Sequence, residues 1–441
     1  MFKNTGGAVA LAALFALSLF LLNCGSGDQR PAGLLYVISD AQNDISSYEI
    51  NLDNGDLSLI NSNAVTCTTL AQNPPVSCGL SVSMLLDPKK AVAFVLNQGL
   101  SPSGATVTVP PTIYGYTVNS DGSLSSPTTS ATLPSGDESI AMTETADGSL
   151  LFVIDVGSTL SPTDCTTSPN NSTDCPSIQV FSATPGSTTL TQASALNLDR
   201  IPTALSALTF TPPGGSTQTL LFMTSSMDLT GQHNDNQLSV YSVDSSGNLT
   251  EQPNSPYTTL SVPGVVQAVN TNAPPQSTGG VYVYVGEQGS AAGSVSSFLV
   301  CTTVGAQGSL NSCTPTQVAS EQLIPLGTPN AAGQNPIAML VDPTNSFLYV
   351  ASNQSNQLFA FSIAVETGIL SPLVPASQPT GAQPVALAIH TNFNNSGEYL
   401  FTSNYGSNSL TGFSVGVTTG GISSPSTTLF LPGQPHGLAV K

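Results

Sequence analysis

Phe347-Leu348-Tyr349-Val350-Ala351-Ser352-Asn353 runs into Asn356, Leu358, Phe361, Ile363, Gly368 and Leu370. The same spacing returns without a gap at Leu400-Phe401-Thr402-Ser403-Asn404, followed by Asn408, Leu410, Phe413, Val415, Gly420 and Ile422. It returns again near the N-terminus, where Leu35-Tyr36-Val37 leads to Asn43, Ile45, Tyr48, Ile50, Gly55 and Leu57. At its centre is an aliphatic, two residues, an aromatic, one residue and another aliphatic. That core recurs at Ile113/Tyr116/Val118, Leu238/Tyr241/Val243 and Val295/Phe298/Val300, and in weakened form at Ile178/Phe181 with Ala183 in the last place. The chain therefore carries seven copies of one unit.

Each copy has the parts of a four-stranded antiparallel sheet. Ala338 to Val341 reads as a small apolar strand ending in an Asp342-Pro343 turn, and Leu348 to Ser352 as the next. An Asn/Ser turn leads to a third strand, Leu358 to Ile363, where alternation puts Phe361 and Ile363 on one face. The turn at Gly368 leads to a short outer strand. Such a sheet is too small to bury its own faces, so the units must stack, and repeats of this length and strand content predict an all-β, seven-bladed propeller over residues 34–441. The two ends of the chain complement each other. Pro435-His436-Gly437-Leu438-Ala439-Val440 matches the opening strand Pro384 to Ile389 but has no second strand after it, while the first unit begins directly at a second strand, Leu34 to Ile38. Pairing them makes one blade and closes the ring, which removes the exposed edges of an open sheet.

Composition narrows the function. Charged residues are only 7% of the 441, against roughly a quarter in ordinary soluble proteins, so the polar surface is built from Ser, Thr, Asn and Gln. The net charge of −19, from 25 acids and 6 Lys and Arg, repels nucleic acid and disfavours phosphorylated substrates.

Residues 1–24 read as an export signal: Lys3 at the positive end, then an apolar run from Ala8 to Leu22. The run is short for a transmembrane helix. It ends in Leu21-Leu22-Asn23-Cys24, which resembles a bacterial lipobox, although Asn23 is an unusual residue before the cleavage. The resemblance implies lipidation of Cys24, and Gly25 after it implies the outer membrane, with residues 25–33 as a flexible tether. Six further cysteines fall in local pairs, Cys67 with Cys78, Cys165 with Cys175, and Cys301 with Cys313, which on an exported chain predicts disulfides. The spacing and the scarcity of His argue against a metal site.

The phrases at 347–353 and 399–404, each followed by a Thr-Gly or Gly-Gly turn, resemble the lactonase-like seven-bladed propeller family, which includes bacterial 6-phosphogluconolactonases and grades into Tyr-Val-Thr-Asn repeat proteins of cell surfaces. The likeness covers almost the whole mature chain, is strongest in the first and last two units, and is specific for fold rather than activity. It implies a site at one mouth of the central channel. Aligning the units puts Glu138, Asn335, Gln383 and Gln434 just before the inner strands, His436 one residue inside, and Arg200 just upstream of the fourth inner strand. An acid, an imidazole and a guanidinium around one mouth would polarise a lactone carbonyl and activate water, so Glu138, Arg200 and His436 are the candidate catalytic residues. Asn335, Gln383 and Gln434 are candidate ligand-binding residues. His390 reads as a turn residue, and Ser225 to Gln237 as a long exposed insertion.

No nucleophile elbow, phosphate loop or metal-ligand helix occurs in the sequence, and no cofactor is expected. Two function classes remain. One is a monomeric, lipid-anchored envelope scaffold that binds a neutral small molecule, a glycan or an envelope protein. The other is a hydrolase of neutral sugar or acyl lactones, which requires the three candidate catalytic side chains to converge on one reacting atom.

Overall fold

Five second strands, Leu34–Ser39, Val92–Asn97, Leu150–Asp155, Phe347–Ser352 and Glu398–Asn404, are buried along their entire length rather than on alternate residues. A strand covered on both faces needs apolar side chains at every position, which explains runs such as Leu34-Leu35-Tyr36-Val37-Ile38. The covering layers are the neighbouring sheets. The computed structural model describes residues 33–40, 44–64, 80–99, 110–134, 138–157, 165, 175–212, 215–228, 234–271, 279–289, 292–302, 313–391 and 398–441. They form seven antiparallel sheets, and successive inner strands neighbour one another around a closed ring. The fold is a seven-bladed β-propeller.

Blade 1 consists of Pro435–Val440, Leu34–Ser39, Asp44–Ile50 and Leu57–Ala64, in spatial order from the channel outward. The last strand of the chain thus completes the first blade, pairing Tyr36 with Ala439 and Val37 with Leu438. The inner strands of blades 2 to 7 are Ser81–Leu86, Ser139–Glu144, Arg200–Phe210, Val262–Asn270, Pro336–Val341 and Pro384–Thr391. Between blades the core is a series of apolar interfaces. Phe361 and Ile363 pack in one of them and Leu358 and Ala360 in the next, as the alternation of that strand requires.

Tyrosine phenols stitch the blades together. Tyr36 donates to the Gly122 carbonyl at 3.1 Å, Tyr284 to that of Gly368 at 3.0 Å, and Tyr349 to that of Gly420 at 2.9 Å. In each case the acceptor is the glycine of the turn after the third strand in the next blade, a position held at positive φ. Tyr282 and Tyr399 repeat the device two residues earlier, reaching the carbonyls of Val365 at 3.2 Å and Leu52 at 3.0 Å.

Two pairs of cysteines are bonded as expected, Cys165 to Cys175 and Cys301 to Cys313. The leader with Cys24, the tether up to residue 32, His233 and the Cys67–Cys78 pair lie outside the described residues. Among those described, no helix is long and apolar enough to cross a membrane. Two readings need correction. His390 is a buried member of the inner strand Pro384–Thr391 rather than a turn residue, and its ring packs over Gly33, where any side chain would collide with it. The stretch Ser225 to Gln237 is mostly an extension of the hairpin formed by Gln218–Asp228 and Asn234–Val243, with Ser225 opposite Gln237 and Met227 opposite Asn234. Among the described residues the short helix Pro315–Ala319 interrupts the all-β pattern and is closed by a capping box between Thr314 and Gln317.

Candidate channel-mouth site

Every inner strand carries the same irregularity near its start. Residues Ser81 and Ser83 pair with Asn97 and Leu96, leaving Val82 as the extra residue of a β-bulge. The same shift leaves Ile140, Thr203, Gly264, Ile337, Val385 and His436 as the extra residues in the other blades. A bulge bends its strand and re-aims a side chain. All of these residues are half-buried, at the end of the channel where the second strands finish. His436 is the single ionisable member of the ring.

Behind the ring lies a buried polar belt that the sequence reading missed. Opposite the residue before each bulge stand Ser39, Asn97, Asp155, Ser225, Glu287, Ser352 and Asn404, all buried. Their signal was present in the sequence, as a polar residue closing an otherwise apolar strand. Each bonds within its own region. Asn404 donates to Thr411 at 2.9 Å, the Asp155 carboxyl accepts from Ser139 and Ser177, and that of Glu287 accepts from the Leu260 amide at 3.2 Å. Burial, partly opposed by its two serine bonds, raises the pKa of Asp155 to about 6, and burial raises that of Glu287 as well.

The residues selected from the aligned units do occupy equivalent places. The carbonyls of Glu138, Asn335, Gln383 and Gln434 each accept the amide that follows their blade's second strand, from Val156 at 3.0 Å, Asn353 at 2.9 Å, Tyr405 at 2.9 Å and Asp40 at 3.1 Å. Asn335 and Gln383 adopt left-handed backbone, with φ of 57 and 53°. The Asn335 side-chain oxygen is buried there without a hydrogen-bond partner.

His436 sits in a small cluster. Its Nε2 lies 3.6 Å from Oδ2 of Asp40, and its ring meets Tyr405 edge-on with centroids 5.3 Å apart. Nε2 makes no hydrogen bond. Asp40 uses its other oxygen to accept the Gln434 amide at 2.9 Å, so the ring-closing contact also positions the carboxylate beside the imidazole.

Arg200 and Glu138 do not join this cluster. Arg200, the first residue of its inner strand, is buried, and Asp199 grips its guanidinium through Nε at 2.5 Å and Nη2 at 3.0 Å. Its Nη1 donates to Gln237 at 2.6 Å and Ser239 at 3.2 Å, with Glu251 at 3.9 Å, so the group reaches across to the third and outer strands of blade 4. Burial alone would lower its pKa, but the bonds and charge of Asp199 outweigh it and hold the group above its usual value. Glu138 is exposed and accepts a hydrogen bond from the Gln98 side chain of blade 2. The three residues therefore stand in three blades with three separate sets of partners.

No group of three or more His, Cys, Asp or Glu side chains suited to a metal ion occurs among the described residues. The acids Asp40 and Asp44 are engaged by Gln434 and by Ser39, the latter at 2.7 Å.

Residues 299–436 match the family model for lactonase, 7-bladed beta-propeller, a span that runs through blades 6 and 7 to His436. No curated protein matches the chain in sequence. Among solved structures, the periplasmic gluconolactonase of Pseudomonas aeruginosa is similar with a TM-score of 0.61 and 16% identity, over 92% of this chain and 98% of that one. A candidate 6-phosphogluconolactonase from Bacteroides uniformis is similar with a TM-score of 0.60 and 12% identity, over 93% and 99%. A functionally unknown protein from Desulfotomaculum acetoxidans shares the fold at a TM-score of 0.55 and 15% identity, over 92% and 98%. At these identities the structures establish a common fold. The chain is a seven-bladed propeller whose residues 299–436 match the lactonase model.

Proposed function

We propose that this propeller is a cell-envelope binding module, anchored by lipid at Cys24, that receives neutral hydroxylated molecules of the sugar and sugar-lactone class at its channel mouth. One observation carries the reading. Two polar atoms at the mouth, Oδ1 of Asn335 and Nε2 of His436, lack hydrogen-bond partners, while Arg200 is fully committed to Asp199, Gln237 and Ser239. Buried polar atoms without partners are rare in folded proteins, and a modest turn of either side chain would offer it to a ligand hydroxyl. The bulge ring is otherwise uncharged, which suits a neutral ligand. Apart from Arg200, the basic residues of the described chain, Lys89, Lys90 and Lys441, lie at the other end of the channel, so a phosphorylated lactone would find no cation at the mouth. Export to an oxidising compartment is supported by the bonded pairs Cys165–Cys175 and Cys301–Cys313.

A second reading, a hydrolase of neutral lactones, is favoured by the approach of Asp40 to His436. A carboxylate beside an imidazole can support general-base activation of water. The match of residues 299–436 to the lactonase model and the similarity to a periplasmic gluconolactonase agree with that chemistry. A pH-stat screen of neutral lactones, with His436→Ala and Asp40→Asn in parallel, separates the two. Binding without turnover supports the module, whereas turnover abolished by either substitution establishes the hydrolase.

A further inference from the structure

The seam between blades 4 and 5 is not filled. The outer strand of blade 4 is broken into Leu249–Glu251 and Tyr257–Thr258, after which Thr259 to Ser261 lead across to the inner strand of blade 5. In blade 5 the outer strand leaves its partner. Leu326 pairs with Ser297 and Asn330 with Val295, so Gly327-Thr328-Pro329 stand opposite Ser296 alone. Gly327 makes that excursion at a φ of 60°, with open space where a side chain would project. Between the two irregularities lies a cavity of about 200 Å³ with apolar walls from Leu260, Phe298, Pro325, Leu326 and Pro329.

Glu287 and Ser296 form its polar floor. Alternation puts Glu287 on the same face of its strand as Val283 and Val285, and Ser296 on the same face as Phe298 and Val300, all of which pack between blades 4 and 5. Glu287 is fully buried, whereas Leu260, whose amide donates to its Oε1 at 3.2 Å, is 73% exposed at the rim. Oε2 is reached by the Ser294 hydroxyl at 3.5 Å, the outer limit of a hydrogen bond. Asp155, the other acid of the belt, instead takes a serine hydroxyl on each oxygen. Ser296 Oγ is buried and makes no hydrogen bond. Among the described residues no Lys, Arg or His pairs with Glu287. A buried carboxylate without a counter-charge costs free energy that a cation brought against it offsets.

We propose that this cavity binds a small primary alkylammonium ion, its ammonium held by the Glu287 carboxylate and Ser296 Oγ after a modest turn of both side chains, its alkyl chain against Phe298, Pro325 and Leu326. An apolar cavity of about 150 Å³ holds benzene, so this one has room for about six or seven heavy atoms. A neutral molecule of the same shape gains the same walls but leaves the carboxylate unpaired. No lining residue is shared with the His436 cluster, so the site stands whether or not the channel mouth binds a sugar.

The test is calorimetric titration of the full-length chain with n-pentylamine, protonated at about pH 7, against 1-pentanol as its neutral isostere. Pentylammonium is expected to bind at one site, at least about tenfold more tightly than pentanol. Glu287→Gln, which keeps an acceptor for the Leu260 amide, should weaken it at least about tenfold, and Ser296→Leu, which fills the cavity and leaves the carboxylate in place, should abolish it. Equal binding of the two compounds overturns the cation site. Binding that survives both substitutions is general attraction to an acidic chain and overturns it too, as does the lack of saturable binding at millimolar concentration. Should Glu287→Gln fail to fold, Ser296→Leu and the pentanol comparison still decide.

Discussion

The phenol of Tyr349 in blade 6 donates to the carbonyl of Gly420 in blade 7 at 2.9 Å, and both groups are buried. Gly420 holds φ at 63°, and a side chain there would collide with the Phe347 ring. The contact couples a turn that requires glycine to an interface between sheets. Tyr349→Phe should cost about 1 kcal/mol, the usual net value of such a bond, and leave the fold unchanged. Gly420→Ala should cost more, because it adds backbone strain and a clash. Denaturant melts of the two variants check the order.

Closure of the ring rests on the last strand. Removing Pro435–Lys441 leaves Leu34–Ser39 as an exposed, mostly apolar edge, so the truncated chain should aggregate and show no cooperative melting transition. Asp40→Ala, which removes the acceptor for the Gln434 amide, should be milder, lowering stability by about 1 kcal/mol with the transition still cooperative.

Asp155 makes a pH-dependent prediction. Its pKa rises on folding, from the ordinary carboxylate value to about 6, chiefly through burial. Below about pH 4 the carboxyl is protonated in both states and has no effect on stability. As pH rises through 6 the folded protein must ionise a buried group, and stability falls by about 3 kcal/mol at 1.36 kcal/mol per unit. Glu144, raised to about 8 by burial and by Asp87 and Asp147, extends the decline to higher pH. Asp155→Asn should therefore raise the melting temperature at about pH 8 and change it little below about pH 4. A gain that is the same at both ends would contradict the assignment.

Arg200 tests the separation of structure from site. Because its guanidinium is spent on Asp199, Gln237 and Ser239, Arg200→Gln should lower the melting temperature clearly yet change ligand affinity at the mouth by less than about twofold. A large loss of binding at unchanged stability would place Arg200 in the site instead.

The repeat was legible because stacking imposes the same burial on every blade. Leu348, Phe361 and Ile363 and their counterparts must be apolar wherever they occur, so the aliphatic and aromatic spacing survives even in the weakened copy at Ile178 and Phe181. The equivalence of Glu138, Asn335, Gln383 and Gln434 was legible for the same reason, since each precedes an inner strand. What those side chains touch was not. Arg200 turns toward blade 4 because Asp199, its neighbour in sequence, outcompetes any partner across the mouth. The bulges were invisible as well, since one extra residue in a short inner strand leaves the hydrophobic pattern almost unchanged. His390 was misread because Thr391 continues the inner strand past the position where blade 6 turns at Asp342.

In the proposed binding mode a neutral ligand is held at the mouth beside His436. The chain has only three histidines, His233, His390 and His436, so imidazole-labelled protein gives a spectrum in which the mouth residue can be assigned by substitution. Titration with a neutral aldonolactone, followed by NMR, is the most direct measurement. Saturable shifts of the His436 resonances are expected, with none at His390 and with the binding isotherm lost in Asn335→Ala. Unchanged His436 resonances across a panel of neutral lactones and sugars at saturating concentration would contradict that mode.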